Sequence, residues 1–168
     1  MRMSEKGRAL LTQWEGGARL RAYRDSGGAW TIGVGHLLKA EELDTGKVRI
    51  NQSLVSWRGG LAPEQADALL AQDLGEAEAA VNSQVCHDLT QNQFDALVSF
   101  TFNVGSAAFR RSTLLRCINT GDMAGVPAQF RLWVYDNHTK VKGLINRREA
   151  EVALWEGTAN GTGRQSVR

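Results

Sequence analysis

The sequence has 168 residues, of which 42% are hydrophobic and 23% are charged, a balance that suits one folded domain with a buried core. This composition excludes a chain that is disordered over most of its length, and no apolar stretch approaches the length of a membrane span. The formal net charge of +2 is too small to decide for or against an acidic partner.

The N-terminal residues carry charges at Arg2, Glu5, Lys6 and Arg8, and no apolar core stands before a cleavage site as it does in a signal peptide. We therefore expect a protein made in the cytosol, without a leader and without stable membrane insertion. The charges are also spread unevenly, since residues 64–78 carry five acidic residues and no lysine or arginine, whereas the segments from Arg110 to Arg148 are mainly basic. A basic region suits an acidic polymer such as a cell wall or nucleic acid, but a solvated helix surface is the simpler interpretation.

Two cysteines, Cys86 and Cys117, are present, and neither has metal-ligand spacing to a histidine. We expect no metal site and no cofactor. Buried free thiols are the preferred interpretation in a reducing compartment, and a single disulfide is the alternative.

The first predicted helix runs from Glu5 to Trp14, with Ser4 as its N-cap. Two glycines follow Glu15 directly, and they should end the helix because glycine adopts positive φ at little steric cost. A glutamate at this helix end, beside a tryptophan, would be partly removed from water, which suits a general acid.

Residues 19–34 are predicted to form a β-hairpin. Asp25 opens the turn sequence Asp-Ser-Gly-Gly, whose residue types favour a turn. Apolar residues alternate with small or polar ones from Trp30 to Val34, as in a half-buried strand. The hairpin would bring Asp25 and Thr31 back toward Glu15. Taken singly, these three residues are more often a capping glutamate, a turn aspartate and an ordinary strand threonine.

The middle of the chain is predicted to be mostly loop over residues 35–60, with a third short strand at residues 48–50. No role is assigned to residues 51–60, and Trp57 is expected in the core rather than as an exposed sugar contact. A long amphipathic helix is predicted over residues 63–85, since a proline suits its first position and apolar residues recur every three and four positions. Ala62 is a poor cap for it.

Helices also dominate the rest of the chain. A capping box formed by Thr90 and Gln93 begins one helix, a short helix is expected near residues 114–118, and Asp122 can cap a helix that runs toward Trp133. The last helix opens near Gly143 and ends near residues 155–157. The polar tail, residues 158–168, is expected to be disordered.

A combination of motifs then points to a family. Glu15, the triplet Tyr-Arg-Asp that ends at Asp25, and the run W-T-I-G-V-G-H-L-L that contains Thr31 resemble the phage-type lysozymes of glycoside hydrolase family twenty-four. The later runs Q-F-D-A-L, F-N-V-G and G-L-x-x-R-R-x-x-E are also similar to that family, so the resemblance covers about residues 4–157. It implies that Glu15, Asp25 and Thr31 are the catalytic set. The gap between Glu15 and Asp25 is one residue longer than in the family pattern, and we expect the glycine turn to absorb it.

The resemblance implies an α+β, mainly helical, lysozyme-like fold, with a small β-hairpin lobe and a larger helical lobe joined by a long helix. Residues 1–157 would be one domain. Its β-containing lobe would span residues 15–62, its helical lobe residues 1–14 and 86–157, and its connecting helix residues 63–85.

The implied activity is that of an endolysin, a muramidase that hydrolyses the β-1,4 bond between N-acetylmuramic acid and N-acetylglucosamine in peptidoglycan, with inversion. Glu15 would be the general acid, while Asp25 and Thr31 would hold the water. Asn103, Trp133 and Arg147 are the candidate substrate-binding residues.

Two of these three candidates have an alternative role. Arg147 is also a candidate charge partner for Glu15, or else a surface arginine, and Trp133 could equally belong to the core. A neighbouring histidine, His36, is expected to pair with an acid such as Asp73 rather than take part in catalysis.

Two other functions stay open, a lytic transglycosylase and a non-catalytic peptidoglycan-binding module, and the intact set of three residues argues against both. The expected partners are the peptidoglycan substrate and, through functional dependence, a holin-like membrane-permeabilising protein. We expect a monomer that binds no nucleic acid. It would accumulate in the host bacterial cytoplasm and reach the periplasm or cell wall at lysis.

Overall fold

A computed structural model describes residues 1–158 of the chain, and helices dominate it. In chain order the elements are α1 Glu5–Trp14, β1 Arg19–Arg24, β2 Trp30–Gly33, β3 His36–Leu37, α2 Ala40–Thr45, β4 Lys47–Ile50, β5 Ser53–Ser56, α3 Pro63–Gln84, α4 Gln91–Val104, α5 Ser106–Arg110, α6 Thr113–Asn119, α7 Val126–Arg131, β6 Tyr135–Asp136, β7 Thr139–Lys140 and α8 Lys142–Trp155. The tail that was predicted to be disordered lies, apart from Thr158, outside the described residues.

Local sequence signals set both ends of α1. The Ser4 hydroxyl accepts a hydrogen bond from the Gly7 N–H at 3.0 Å, as an N-cap does. Glu15 is the first residue after the helix, and its N–H still donates to the Leu11 carbonyl at 2.9 Å. Gly16 follows with φ of +84°, so the predicted glycine stop is confirmed.

The predicted hairpin is also confirmed, as part of a three-stranded antiparallel sheet in the order β1-β2-β3. Thr31 lies on the middle strand, opposite Tyr23 on one side and Leu37 on the other. Its side chain is buried, because strand neighbours cover it on both sides.

The prediction that residues 35–60 are mostly loop is wrong. They form β3, α2 and a second hairpin, β4–β5, which confirms the strand at residues 48–50 but adds its partner. In this hairpin Val48 lies opposite Val55, and Val48 and Ile50 point into a small core. Trp57 packs against the same core, and its indole N–H donates to the Glu42 carbonyl at 2.8 Å. The core interpretation of Trp57 is therefore confirmed.

Helix α3 contributes to two separate hydrophobic cores. The smaller core lies under the two N-terminal hairpins and includes Leu69 of α3. The larger core is built mainly by helices and includes Leu70 and Leu74. The start of α3 has no side-chain cap at Ala62, but the Ala62 N–H donates to the Gln65 side-chain oxygen at 2.9 Å. The division into lobes at the predicted boundaries stays a prediction.

The helical part differs from expectation in four short elements. Helix α5 and the hairpin β6–β7 were not predicted, and α7 begins at Val126 rather than near Asp122. The Asp122 carboxylate accepts from the Gly125 N–H at 3.0 Å, so it holds the turn before α7 instead of capping the helix.

Two further expectations concern single residues and membrane contact. Cys86 and Cys117 are both free, and Cys86 is exposed, so the expectation of burial is wrong for Cys86, which lies just past the end of α3.

Within residues 1–158, none of the helices is long and apolar enough to cross a membrane.

Candidate active site

Glu15 is held at the end of α1 by an ion pair with the last helix. Its Oε1 atom lies 2.5 Å from Nη1 of Arg147, and the two side chains are 20% and 8% exposed. The positive-φ glycines after Glu15 turn the chain away at once, so the carboxyl group stays accessible at the helix end. The structure therefore confirms Arg147 as the charge partner of Glu15, and Arg147 is not a surface arginine.

The other carboxylate oxygen of Glu15 lies against the backbone between β2 and β3. Gly35 there has φ of +71°, and a Cβ atom added to it would lie 3.0 Å from Glu15 Oε2. A larger residue would push the carboxylate away, so glycine is needed both for the backbone conformation and for this close approach.

If Glu15 is the general acid, replacing Gly35 with alanine is expected to lower hydrolytic activity by roughly 10–100-fold, because the new methyl group would displace the Glu15 carboxyl group. Gly16→Ala is the matched control, since Gly16 also has positive φ, while an added Cβ there would have nothing within 4 Å. Both variants should lose about 1–3 kcal/mol of stability to backbone strain. Equal activity of the two folded variants in a wall-turbidity assay would contradict the steric argument.

Asp25 and Thr31 are tied to one peptide unit in the first hairpin. The Asp25 Oδ1 atom accepts from the N–H groups of Gly27 at 2.9 Å and Ala29 at 2.8 Å. The Ala29 carbonyl accepts from the Asp25 N–H at 2.9 Å and from the Thr31 hydroxyl at 3.3 Å. The hairpin thus brings these two predicted residues together. Among the described residues, no hydrogen bond joins Glu15 to either of them.

A groove runs beside this constellation, between the small sheet and the helical part. Gly35, His36 and Leu37 line one wall, and Phe102 and Ser106 are among the residues of the other. Its volume is about 470 Å³, enough for part of a sugar chain. The groove passes the Gly35 backbone on which the Glu15 carboxylate rests.

A buried carboxylate, Glu151, holds two consecutive arginines of α8. Its Oε1 atom accepts from Arg147 Nε at 3.2 Å and from the Ser99 hydroxyl at 2.7 Å. Its Oε2 atom lies 3.2 Å from Arg148 Nε. Burial raises the pKa of Glu151, an effect that the two arginines oppose, and burial also lowers the pKa of Arg148. The arginines remain charged because a guanidinium does not lose its proton in proteins.

Asn103 and Trp133 line a second recess, which also includes Ser26 of the first hairpin turn. Asn103 is exposed and accepts a hydrogen bond from Nη2 of Arg148. Trp133 is half-buried and meets the Phe100 ring edge-on, with centroids 5.3 Å apart. Trp133 therefore belongs to the core and also reaches the recess, while Asn103 is available to a ligand.

His36 pairs with acids, as predicted. Its Nδ1 atom lies 2.8 Å from Asp73 Oδ2, and its Nε2 atom lies 3.4 Å from Glu42 Oε2. Burial alone would lower the pKa of His36, but the hydrogen bond and charge of Asp73, helped by Glu42, outweigh burial and raise it above 6.5. A raised pKa means that protonated His36 stabilises the fold.

Asp73→Asn is expected to lower the free energy of unfolding by about 1 kcal/mol at pH values below about 6.5, where His36 is protonated in both the folded and the unfolded chain. The difference from wild type should shrink as the pH rises through the raised pKa of His36, because the native-state charge is then lost. Urea unfolding at several pH values measures this. Glu76→Gln, an exposed acid of the same helix, serves as the control, and a pH-independent loss in Asp73→Asn would contradict the pairing.

A carboxyl group at a helix end, a hairpin aspartate and a groove between a small sheet and a helical body define a lysozyme-like glycoside hydrolase. The chain belongs to the phage lysozyme family, whose sequence model matches residues 12–151. It is a peptidoglycan-hydrolysing enzyme of the endolysin type, so the predicted class of protein is confirmed.

Individual relatives support this membership over nearly the whole chain. The endolysin of Acyrthosiphon pisum secondary endosymbiont phage 1 is 41% identical over 160 residues, which cover 93% of this chain and 99% of that protein. The solved endolysin from Escherichia coli O157:H7 phage FAHEc1 is similar with a TM-score of 0.78 and 34% identity, over 96% of this chain and 98% of that one. The solved muramidase domain of SpmX from Asticaccaulis excentricus is similar with a TM-score of 0.73 and 35% identity, over 92% of this chain and 97% of that one. The predicted α+β, lysozyme-like fold is confirmed.

Sequence reasoning assigned no role to Gly35, Arg148 or Glu151. The two charged residues lie in the R-R-x-x-E run, where a glutamate three and four positions after two arginines is a possible signal of ion pairing. Gly35 lies in the T-I-G-V-G-H run, but only the structure shows which carboxylate it faces.

Proposed function

We propose that this enzyme cleaves the β-1,4 bond between N-acetylmuramic acid and N-acetylglucosamine, with Glu15 as general acid and with Asp25 and Thr31 holding the attacking water. The observation that carries the proposal is the Glu15 carboxyl group, which is fixed between Arg147 and the Gly35 backbone at the sheet wall of the groove. Only a group held in one place can meet the leaving oxygen of a bound glycan.

The proton-donating step follows from the contacts of Glu15. Cleavage begins when the Glu15 carboxylic acid protonates the glycosidic oxygen, and positive charge develops on the sugar ring. Proton donation requires a neutral Glu15 at the start. When Glu15 is neutral, the Arg147 guanidinium keeps a second carboxylate partner in Glu151, so it is never left as an unpaired buried charge.

The water-binding step follows from the hairpin. Two backbone N–H groups hold Asp25 through one oxygen, which leaves the other oxygen free to accept from a water. The Thr31 hydroxyl donates to the Ala29 carbonyl and keeps lone pairs that can accept from a water, so Asp25 and Thr31 together can orient one water, and Asp25 can take its proton. Attack by water on the opposite face of the sugar inverts the anomeric centre.

The test is anomer-resolved NMR of the first products from purified peptidoglycan. Inversion releases the α-anomer from the β-linked chain, and a first-formed β-anomer would overturn the water-positioning roles. An anhydro sugar, seen by mass analysis, would identify a lytic transglycosylase instead. Binding without product would identify a non-catalytic module.

We further propose that the protein accumulates in the host cytoplasm as a monomer and depends on a holin-like permeabilising protein to reach the wall. The support is the absence of a membrane-spanning helix from residues 1–158. The test expresses the protein alone in bacteria and then adds a membrane permeabiliser. Lysis only after the addition is expected, and rapid lysis before it would refute the dependence.

A further inference from the structure

The side-chain amide of Asn103 has a fixed orientation. Its Oδ1 atom accepts from Nη2 of Arg148. A guanidinium carries only donors, so the amide oxygen must face it and the amide NH₂ group must face the other way. The orientation therefore follows from the chemistry of the partner and does not depend on telling oxygen from nitrogen in the amide.

Arg148 is in turn buried and held by contacts with a ring and with a carboxylate. The side chain is fully buried, its guanidinium lies 5.0 Å from the centre of the Phe100 ring, and its Nε atom is paired with Glu151 at 3.2 Å. A planar guanidinium fixed by a ring face and by a buried carboxylate loses little further freedom when it holds the amide. The Asn103 amide is therefore already oriented before a ligand binds.

The oriented amide lies at the edge of two recesses. One recess includes Trp14 and Arg147, the residue that binds the catalytic Glu15. The other includes Ser26 and Trp133. A glycan bound in either recess would meet a side chain that offers two N–H donors and whose oxygen already accepts from Arg148.

We propose that Arg148 is a positioning residue that makes Asn103 a dedicated donor for a carbonyl oxygen of the glycan, namely that of an N-acetyl group. A sugar hydroxyl can donate or accept and would bind either face of an amide, whereas an acetamido oxygen only accepts. A fixed donor therefore selects for N-acetylated sugar over its N-deacetylated form. The inference rests on the proposed function, since it concerns the same glycan and the same site.

The experiment compares kcat/KM on purified peptidoglycan before and after chemical N-deacetylation of its sugars. The wild-type enzyme should prefer the acetylated glycan. Asn103→Asp keeps the contact to Arg148 but has no NH₂ group, and Arg148→Met keeps much of the buried volume but releases the amide. In both variants kcat/KM should fall roughly tenfold on the acetylated glycan and little on the deacetylated one. The ratio of the two kcat/KM values should therefore fall by about the same factor.

Arg131→Gln is the matched control, because Arg131 pairs with Glu149 and both side chains are exposed. The preference of this variant for the acetylated glycan should equal that of wild type. A loss of equal factor on both glycans in Asn103→Asp would overturn the inference and would leave Arg148 with a structural role only. Asn103 is exposed, so this variant should fold even if Arg148→Met does not. Failure of wild type to hydrolyse either glycan would count against the proposed function itself, which is a different outcome.

Discussion

The Glu15→Gln variant is expected to hydrolyse peptidoglycan about 10²–10⁴-fold more slowly than wild type, the usual contribution of a general acid. Glutamine has the size of glutamate and can still accept a hydrogen bond from Arg147, but it carries no acidic proton. The loss should therefore fall on kcat more than on KM, because proton donation matters only in the transition state. Turbidity loss of bacterial walls and product release from purified peptidoglycan both measure it.

Stability separates this chemical effect from misfolding. The ion pair with Arg147 is partly exposed on the Glu15 side, so its loss should cost no more than about 1 kcal/mol. Thermal unfolding should show a cooperative transition near that of wild type. Glu5→Gln, at the other end of α1 and exposed, is the control and should remain fully active. A folded Glu15→Gln enzyme with more than half the wild-type rate would remove Glu15 from the mechanism.

The Glu151→Ala variant is expected to lose about 3–5 kcal/mol of unfolding free energy, the cost of removing one partner from a buried ion pair. Glu151 is fully buried and faces both Arg147 and Arg148. Its removal leaves the buried Arg148 without a carboxylate partner, and it leaves Arg147 with Glu15 alone. It also leaves the Ser99 hydroxyl without its acceptor. Chemical denaturation, with the slope of the transition checked for two-state behaviour, measures the loss.

Glu149→Ala provides the comparison from the same helix. Glu149 pairs with Arg131 through two hydrogen bonds, but its side chain is 52% exposed. Such a pair is worth less than about 1 kcal/mol. The two glutamates lie two positions apart, so the contrast tests burial rather than sequence context. Similar losses in both variants would show that the buried carboxylate contributes no more than an exposed one.

The elements that could be predicted are those whose signals are local. Ser4, the glycines after Glu15 and the capping box at Thr90 mark helix ends by hydrogen bonds within a few residues, and the structure has these ends where expected. Helix α2 and strand β5 could not be predicted in the same way. They are four to six residues long, and they are held by contacts that are distant in sequence, such as the bond from the Trp57 indole to the Glu42 carbonyl.

The candidate site also combines residues that could be predicted with an arrangement that could not. Motif order and residue type predicted Glu15 and Arg147, and the structure joins them across 132 positions of sequence. The arrangement around Glu151 could not be predicted, because two arginines and a glutamate spaced by one helical turn are most often exposed ion pairs. Their burial depends on Ser99 and Phe100 of α4, which pack against α8. No pattern within α8 itself indicates that α4 covers it.

The hairpin that carries Asp25 has a consequence for how the site tolerates sequence drift. Its carboxylate is held by main-chain N–H groups at positions 27 and 29, and every amino acid except proline supplies that group. Substitutions at these two positions therefore keep the anchoring N–H groups, whereas proline would remove one of them. The Glu15 carboxylate is more sensitive to substitution. It depends on the arginine side chain at position 147 and on glycine at position 35. The two halves of the proposed active site can thus evolve under very different constraints.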